Sequence, residues 1–562
     1  MSQPHTPNEP TNPQLPGVNR RSMIFAAGAT VLAGCAPLQT QAGGDPVVAT
    51  KSGRIRGEQR GHVHRFLGVP YAQSIGGANR FAPPKPVPAW SGLRDARRYA
   101  DSSPQQAAEM DTPVTPAFAP PAYVTRGDDC LALNVWAPAN GARDLPVMVW
   151  LHGGGWTSGS GSCAIYDGEH LAERGDVIVV TINHRLGASG LTDFSRVLGG
   201  AFADSANLGI KDIVAALSWV HENIAAFGGN PGCVTIFGES GGGWKVNTLL
   251  ATPSAKGLFH RAVVESGPLV RFMEPDKADE VASAVLAALG ISRANAEQLH
   301  SLTWEQVVAA EAKVLAATPM SFQAPGFPTG FWPVRDAALL PGHADDPAIA
   351  AVHRDVPLLL GQTGTEFTLF MLQDQAAYAL DAAQLAQRVE RTFGATAAPG
   401  ILASYRRDFP TLSPSGQWFR IFSDYAMGAL NTAILDTRWH AGAKETYAYR
   451  FDWSTPILGG KLHSPHTIEI PFVFDNVNTP AGVTMTGGGA EAITLAKSVS
   501  QAWVTFAKTG RPAAPGLPDW PASGGIDRAA MHINIASHVA PYMDPNMATI
   551  YRAKLWKAAG LS

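Results

Sequence analysis

The chain has 562 residues, of which 45% are hydrophobic and 14 are tryptophan, enough to build a large core and to exclude a disordered protein. Lysine and arginine number 43 against 46 aspartate and glutamate, which gives a formal net charge of −3. This balance gives no reason to expect nucleic acid or an anionic membrane surface as a partner. Because α/β chains of this length often fold as one unit, we expect a single domain over residues 46–562.

Residues 1–45 are predicted to be an export signal and a disordered segment. Prolines recur every third residue over 4–13 in a polar stretch, which is typical of extended chain. Arg20 and Arg21 then precede an apolar run over 23–33 that is short for a membrane span. The paired arginines resemble a twin-arginine signal, which predicts an exported protein, either periplasmic or membrane-anchored.

Cys35 ends the sequence Leu-Ala-Gly-Cys, which resembles a bacterial lipobox. In a lipobox this cysteine carries the lipid and becomes the new N-terminus, which predicts a lipid anchor. The alternative is an ordinary cleaved signal with an unrelated cysteine. The other three cysteines are Cys130, Cys163 and Cys233, and this odd number allows at most one disulfide among them.

Short apolar runs alternate with helical patterns along the rest of the chain. Residues 145–151 and 177–182 are nearly continuous apolar runs, as expected for strands covered on both faces. Between residues 210 and 224 the apolar positions recur at helical spacing and form one buried stripe. Further strands are predicted over 234–237 and 356–360, and a terminal helix over 495–506.

This alternation predicts an α/β fold with a mostly parallel central sheet and helices on both faces. Two longer segments, 275–350 and 380–445, are predicted to be helical insertions that cap the site rather than independent domains.

Ser240 stands in the sequence Gly-Glu-Ser-Gly-Gly-Gly, directly after the predicted strand 234–237. A Gly-x-Ser-x-Gly sequence between a strand and a helix predicts a nucleophile elbow, a sharp turn that lifts the serine hydroxyl off the sheet. The helix N-terminus favours negative charge that develops there. The alternative is one of the many glycine-rich turns without a catalytic role.

A second glycine cluster, His152-Gly153-Gly154-Gly155-Trp156, follows the strand 145–151. Adjacent glycines leave backbone N–H groups bare, so a substrate oxygen can approach them. Together with the N–H of Gly241, those of Gly154 and Gly155 are predicted to form an oxyanion hole. Alone, the cluster is equally compatible with a flexible tight turn.

Several further stretches resemble one enzyme family in sequence and in order. They are Phe66–Ala72, Arg80–Pro84, Asp129–Trp136, Asn183–Gly187, Phe227–Pro231 and Phe237–Ser240. Over about residues 46–556 the chain resembles the type-B carboxylesterases, which include cholinesterases and bacterial para-nitrobenzyl esterases. The resemblance implies the α/β-hydrolase fold and serine-dependent hydrolysis of carboxylic esters through an acyl-enzyme intermediate. It implies no cofactor, and a small-molecule ester as the partner.

The resemblance also assigns the acid and the base. This fold orders its triad Ser, acid, His, so spacing alone leaves any carboxylate between 241 and 465 eligible. Glu366 ends a stretch similar to the family's acid loop, although it could also be a helix N-terminal glutamate. His466 begins a stretch similar to the family's histidine loop. A metal site of His463, His466 and Glu469 on one helical face is the rival interpretation, but Pro465 interrupts such a helix, and no metal is expected.

Other residues near the motifs have two interpretations each. Glu239, Ser266 and Glu469 are interpreted as hydrogen-bonding partners of the triad or as ordinary polar packing. Four aromatic residues are candidates for the substrate pocket or for the core: Trp156, Trp244, Phe331 and Trp332.

The sequence departs from the family at several places, and at one of them Gly241 replaces the family's usual alanine. Ser103 stands where the family commonly has a cysteine that pairs with the one at 130, so Cys130 lacks its expected partner. No tryptophan occurs over 91–135, the loop in which cholinesterases stack a quaternary ammonium, so choline esters are not the expected substrates. Three functions are therefore compared: a general ester hydrolase, a specialised lipase, polyester or secondary-metabolite esterase, and a non-catalytic binding protein on the same fold.

Overall fold

An eleven-stranded sheet lies at the centre of the computed structural model, which describes residues 44–107, 112–318 and 324–561. A second sheet of three strands is formed near the start of the described chain. In chain order the strands are β1 (Val47–Thr50), β2 (Gly53–Arg56), β3 (Glu58–Arg60), β4 (Val63–Pro70), β5 (Leu93–Asp95), β6 (Ala132–Pro138), β7 (Leu145–Leu151), β8 (Ile178–Ile182), β9 (Gly229–Glu239), β10 (Arg261–Glu265), β11 (Leu358–Thr363), β12 (Thr446–Phe451), β13 (Ala529–Ile533) and β14 (His538–Pro541).

The large sheet has the order β14-β13-β12-β11-β10-β9-β7-β8-β6-β4-β3. Its central strands, from β13 across to β8, pair in parallel. The strands at the two edges pair antiparallel, β14 on one side and β6, β4 and β3 on the other. The small sheet joins β1, β2 and β5. The predicted mostly parallel sheet is therefore present.

Helices cover the sheet on both faces. In chain order the α-helices of the described residues are α1 (Glu169–Gly175), α2 (Gly187–Leu191), α3 (Leu208–Asn223), α4 (Gly241–Leu250), α5 (Pro275–Leu289), α6 (Trp304–Ala317), α7 (Pro347–Ala350), α8 (Phe367–Phe370), α9 (Ala382–Phe393), α10 (Ala398–Asp408), α11 (Pro414–Ser423), α12 (Ala429–His440), α13 (Ile470–Val473), α14 (Pro480–Thr486), α15 (Ala490–Thr509) and α16 (Pro545–Ala558). A short π-helical turn, Asp424–Gly428, joins α11 to α12.

Alternation along β7 shows how the two faces are filled. Val147 and Val149 belong to one apolar cluster, which also holds the buried stripe of α3. Met148 and Trp150, one residue out of step, belong to the other cluster, together with the buried residues of α15. Because successive side chains of a strand point to opposite faces, a continuous apolar run requires two cores, and the helices supply both.

One sequence-based expectation changes in the structure. The helix predicted near 495–506 is α15, but it is not the terminal element, because β13, β14 and α16 follow it. The segment 380–445 consists largely of helices, α9 to α12, whereas 275–350 combines α5 to α7 with longer non-helical stretches. Within the described ranges, no helix combines the length and apolar character that crossing a membrane requires.

Candidate active site

Five neighbouring strands of the sheet end at the same edge. In spatial order these are β12, β11, β10, β9 and β7, and all five run parallel. Loops that follow the carboxyl ends of parallel strands meet along that edge, where α/β proteins commonly bind their ligands. The predicted triad and the oxyanion glycines follow the ends of four of these strands, β12, β11, β9 and β7.

Ser240 lies at the turn between β9 and α4. Its φ of 56° and ψ of −123° fall outside the ordinary regions for a side-chain-bearing residue, a strain of roughly 1–3 kcal/mol that the surrounding packing must hold. The Ser240 N–H donates to the carbonyl of Glu265 at 2.8 Å, and the Ser240 carbonyl accepts from the N–H of Trp244 at 3.1 Å. These bonds fix the backbone of the turn on both sides and leave the hydroxyl partly exposed.

Two glycines of the elbow are required by close backbone contacts. A Cβ at Gly238 would lie 2.6 Å from the Leu151 carbonyl oxygen, and a Cβ at Gly242 would overlap that same carbonyl. The start of α4 thus packs directly against the end of β7, which only bare Cα atoms permit.

His466 is held by Glu366. Nδ1 of the imidazole lies 2.5 Å from Oε2 of Glu366, and both side chains are buried. The other carboxylate oxygen, Oε1, accepts the N–H of Thr363 at 2.8 Å. An imidazole that donates through Nδ1 to a carboxylate keeps its lone pair on Nε2, which is the tautomer that a general base needs.

Nε2 of His466 faces the elbow. It lies 3.2 Å from Oε1 of Glu239, the residue before Ser240, although the contact is not aligned as a hydrogen bond. Within the described residues no hydrogen bond joins Ser240 Oγ to Nε2. The structure therefore brings the base to the turn that carries the serine, and proton transfer requires Oγ to come within reach, as is common when substrate binds.

Four buried glutamates surround the base, and we call them the carboxylate side: Glu239, Glu265, Glu366 and Glu469. Oε1 of Glu469 accepts the Ser266 hydroxyl at 2.7 Å, and Oε1 of Glu265 accepts the indole N–H of Trp503 at 2.7 Å.

Burial sets the charge of these acids. Desolvation raises the pKa of Glu265 to about 8. Desolvation, with the neighbouring carboxylates, also raises the pKa of Glu239 and of Glu469 above the ordinary value. Like charges held close in a low dielectric cannot all ionise, so part of this cluster is protonated at neutral pH.

Gly153–Gly155 and Gly241 also lie beside Ser240, and we call them the glycine side. Gly154 has a φ of 89° and Gly155 a φ of 60°, which side-chain-bearing residues rarely adopt. A Cβ at Gly241 would overlap the backbone N and O of Gly155 and lie 2.6 Å from its Cα. Within the described residues, the N–H groups of Gly154, Gly155 and Gly241 donate no hydrogen bond, so all three remain available for an oxyanion.

Three of the four candidate pocket residues form one aromatic cluster. Ring centroids of Trp244 and Trp332 are 4.8 Å apart, and those of Trp156 and Trp332 are 6.2 Å apart. Trp244 also contacts the glycine side, because a Cβ at Gly155 would lie 3.4 Å from its ring. Phe331 is buried but makes no ring contact with this cluster in the described part of the chain.

The histidine loop does not have the form that the rival metal interpretation needs. Residues 463–469 form turns, and α13 begins only at Ile470, so the two histidines and Glu469 share no helical face.

Sequence reasoning missed two residues that support the glycine side. The Lys245 ammonium is completely buried and donates to the His152 carbonyl at 2.7 Å. The Gln105 amide clamps Gly159, donating to its carbonyl at 2.9 Å and accepting its N–H at 2.8 Å. A lysine within an otherwise buried helix is the one signal that could have indicated the first of these.

Among known proteins, the chain matches the profile of the Carboxylesterase family over residues 44–552. It is 34% identical to the para-nitrobenzyl esterase of Bacillus subtilis over 476 residues, which cover 85% of this chain and 92% of the relative.

Two solved structures show the same fold. One para-nitrobenzyl esterase structure aligns with a TM-score of 0.76 at 32% identity and covers 90% of this chain and 99% of that one. An esterase from Clostridium hathewayi, described as able to hydrolyse aliphatic aromatic polyesters, aligns with a TM-score of 0.75 at 31% identity and covers 91% and 98%. The predicted α/β-hydrolase fold is confirmed.

Proposed function

The chain belongs to the carboxylesterase family and is a serine-dependent hydrolase of carboxylic esters, and on this premise we propose that Ser240, His466 and Glu366 are its catalytic triad. The observation that carries the proposal is the 2.5 Å contact between Nδ1 of His466 and Glu366, with Nε2 turned toward the elbow.

The reaction proceeds in two halves. Oγ of Ser240 attacks the ester carbonyl carbon while His466 Nε2 takes its proton, and Glu366 stabilises the imidazolium that forms. The carbonyl oxygen becomes an oxyanion and accepts hydrogen bonds from the glycine side. Collapse expels the alcohol, which takes the proton from His466, and leaves an acyl group on Ser240. Water, deprotonated by His466, then attacks the acyl carbonyl carbon. Collapse breaks the bond to Oγ of Ser240, which takes the proton back from His466, and releases the acid.

The ring cluster of Trp156, Trp244 and Trp332 supports a substrate pocket beside the oxyanion hole. Its contact with Gly155 would bring an apolar acyl or alcohol group against aromatic faces when the carbonyl oxygen is bound. A panel of p-nitrophenyl esters graded by acyl size, together with a polyester film, distinguishes a general esterase from a specialised one.

A fluorophosphonate probe tests the nucleophile directly. We expect one modified peptide containing Ser240 and complete loss of ester turnover, because the probe phosphonylates an activated serine. Ser240→Ala should abolish both labelling and turnover. Ser218→Ala, at a helix-surface serine that donates to the Val214 carbonyl, serves as the matched control and should leave both unchanged. Labelling of another serine in the active wild type would refute the assignment.

We also propose that the protein is exported and lipidated at Cys35, which lies outside the described residues. The support is the sequence: Arg20 and Arg21 before the apolar run, and Leu-Ala-Gly before the cysteine. Metabolic labelling with a palmitate analogue should mark the wild type and fail in Cys35→Ser. A mature N-terminus mapped downstream of Cys35 would refute lipidation.

A further inference from the structure

Lys245 is the one completely buried lysine among the described residues. It extends from α4 toward the backbone that enters the glycine side, and its Nζ donates to the His152 carbonyl oxygen at 2.7 Å. An ammonium in this environment is costly, because burial removes its hydration and only partial compensation is available. A lysine at such a position calls for a role that an apolar residue could not perform.

The hydrogen bond acts on a glycine-rich loop that has little stiffness of its own. Three successive glycines follow His152, and two of them have positive φ, so the loop has little intrinsic stiffness. Its far end is fixed by Gln105, through the two bonds to Gly159. Near its start, the Lys245 ammonium binds the carbonyl of the peptide that leads into Gly153, and Nδ1 of the His152 ring lies 2.8 Å from the Gly153 carbonyl oxygen.

We propose that Lys245 is a positioning residue for ester hydrolysis, whose ammonium holds the His152–Gly153 peptide so that the N–H groups of Gly154 and Gly155 meet the oxyanion. The inference rests on the proposed function of the glycine side. The ammonium also places a fixed positive charge behind the loop, where negative charge develops on the substrate oxygen. Both effects favour the transition state over bound substrate, so Lys245 contributes to kcat rather than to KM.

The charge on Lys245 depends on its surroundings. Burial lowers the pKa of this lysine to about 7, and the Glu239 carboxyl opposes the shift. Two other titratable groups face Lys245, the imidazoles of His152 and His184. These rings are stacked, with centroids 5.1 Å apart. Burial lowers the pKa of His152 to about 3 and that of His184 well below the ordinary value, so both are neutral where the lysine titrates.

This arrangement makes a specific prediction for the pH profile of kcat. Activity should fall at alkaline pH as Lys245 loses its proton. In Lys245→Met this alkaline fall should disappear, because the ammonium that titrates behind the loop is gone. Glu239→Gln should keep the alkaline fall, which separates the lysine from its acidic neighbour.

The decisive experiment compares Lys245→Met with Lys211→Met. Lys211 likewise donates to a backbone carbonyl, that of Asp204, but on α3, which makes it the matched control. We expect Lys245→Met to lower kcat about 10- to 100-fold at similar KM, as loss of a charge-assisted hydrogen bond implies. It should weaken a trifluoromethyl ketone, which forms a bound oxyanion, by the same factor. Lys211→Met should change neither.

Two further measurements keep the outcome clear. Lys245→Gln retains a hydrogen-bond donor without the charge, so its kcat should lie between those of Lys245→Met and the wild type. If the methionine variant does not fold, the glutamine variant replaces it in the experiment. Fluorophosphonate labelling of wild-type Ser240 tests the proposed function separately, because it does not depend on Lys245. A folded Lys245→Met with wild-type kcat, pH profile and trifluoromethyl ketone affinity would overturn the inference.

Discussion

The carboxylate side and the glycine side flank the same serine, yet they position their groups by opposite means. On the carboxylate side, side chains from distant parts of the chain hold one another through hydrogen bonds, as Glu366 holds His466 and Ser266 holds Glu469. On the glycine side, backbone is packed on backbone with no side chain between, as Gly241 is packed on Gly155.

The difference determines what each side tolerates. A hydrogen-bonded network accepts a substitution of equal shape but responds to a change in charge or in donor and acceptor pattern. Backbone packed without side chains has no room for an added atom, and charge reaches it only through the Lys245 ammonium behind the loop. Four substitutions test this contrast.

Glu366→Gln should break the carboxylate side without changing its shape. The glutamine amide can present its NH₂ group to Nδ1, which places the imidazole proton on Nε2 and removes the base. We expect kcat to fall roughly 10⁴-fold with the fold intact. Steady-state hydrolysis of p-nitrophenyl acetate measures kcat, and circular dichroism shows whether the fold is intact. A variant with more than a tenth of wild-type kcat would show that another carboxylate serves as the acid.

Gly241→Ala should break the glycine side by a single methyl group. The new Cβ would overlap the backbone of Gly155. The loop must therefore move away, and its backbone N–H groups no longer point at the oxyanion. We expect kcat to fall about 100- to 1000-fold, the loss typical of one missing oxyanion donor. Gly400→Ala is the control, since Gly400 lies within α10 and a Cβ there meets nothing within 4 Å. Turnover of Gly241→Ala within threefold of wild type would contradict the packing argument.

Glu265→Gln should remove part of the pH dependence that the carboxylate side gives to the stability of the fold. The pKa of Glu265 is raised in the folded state, so the fold binds a proton that the unfolded chain releases, and stability falls as pH rises from about 4.5 toward 8. The slope from this group is up to about 1.4 kcal/mol per pH unit. Glutamine keeps the acceptor for Trp503 and removes the titration. Urea unfolding between pH 5 and 8 should therefore show a stability advantage of the variant that grows with pH.

The control for this experiment is Glu222→Gln, because Glu222 is half exposed and pairs only with Lys51 in the described residues. Its unfolding free energy should follow the wild-type pH dependence. Equal slopes for Glu265→Gln and wild type would mean that Glu265 is already ionised in the fold.

Trp332→Phe should give the smallest effect, on selectivity. The smaller ring reduces aromatic contact with Trp244 and frees the Arg271 carbonyl, which now accepts the indole N–H at 3.0 Å. We expect kcat/KM for a long or aromatic acyl group to fall up to about tenfold relative to acetate, as loss of a few contacting atoms implies. Competition between two p-nitrophenyl esters measures the ratio. An unchanged ratio would place Trp332 in the core rather than in the pocket.

Local patterns predict the parts of this molecule that depend on local physics. The strands over 145–151 and 177–182 follow from continuous apolar runs, and α3 from its stripe. The glycines around the elbow follow from the geometry that a strand-to-helix turn demands. The missed α16 has such a signal too, since Asp544 caps it ahead of a first-turn proline.

The arrangement of the site could not be predicted in the same way. The contact between Glu366 and His466 joins residues 100 positions apart, and no spacing distinguishes that glutamate from other carboxylates in the interval. Only a resemblance to a family supplied it. The role of Lys245 depends on which carbonyl its ammonium reaches, and the tight fit of Gly241 depends on a loop almost ninety residues earlier. Tertiary packing determines both of these contacts, and no local sequence pattern predicts either of them.

The three described cysteines are all free, and one of them offers a probe of motion. Cys130 is completely buried, and burial raises the pKa of its thiol to about 12, so an alkylating reagent finds neither access nor thiolate. The Ser103 hydroxyl, at the position where the family resemblance implies a second cysteine, donates to the His184 carbonyl at 2.5 Å. Modification of Cys130 would therefore report transient opening of the structure around this thiol. Its rate, read by mass spectrometry, would time that opening without any engineered label.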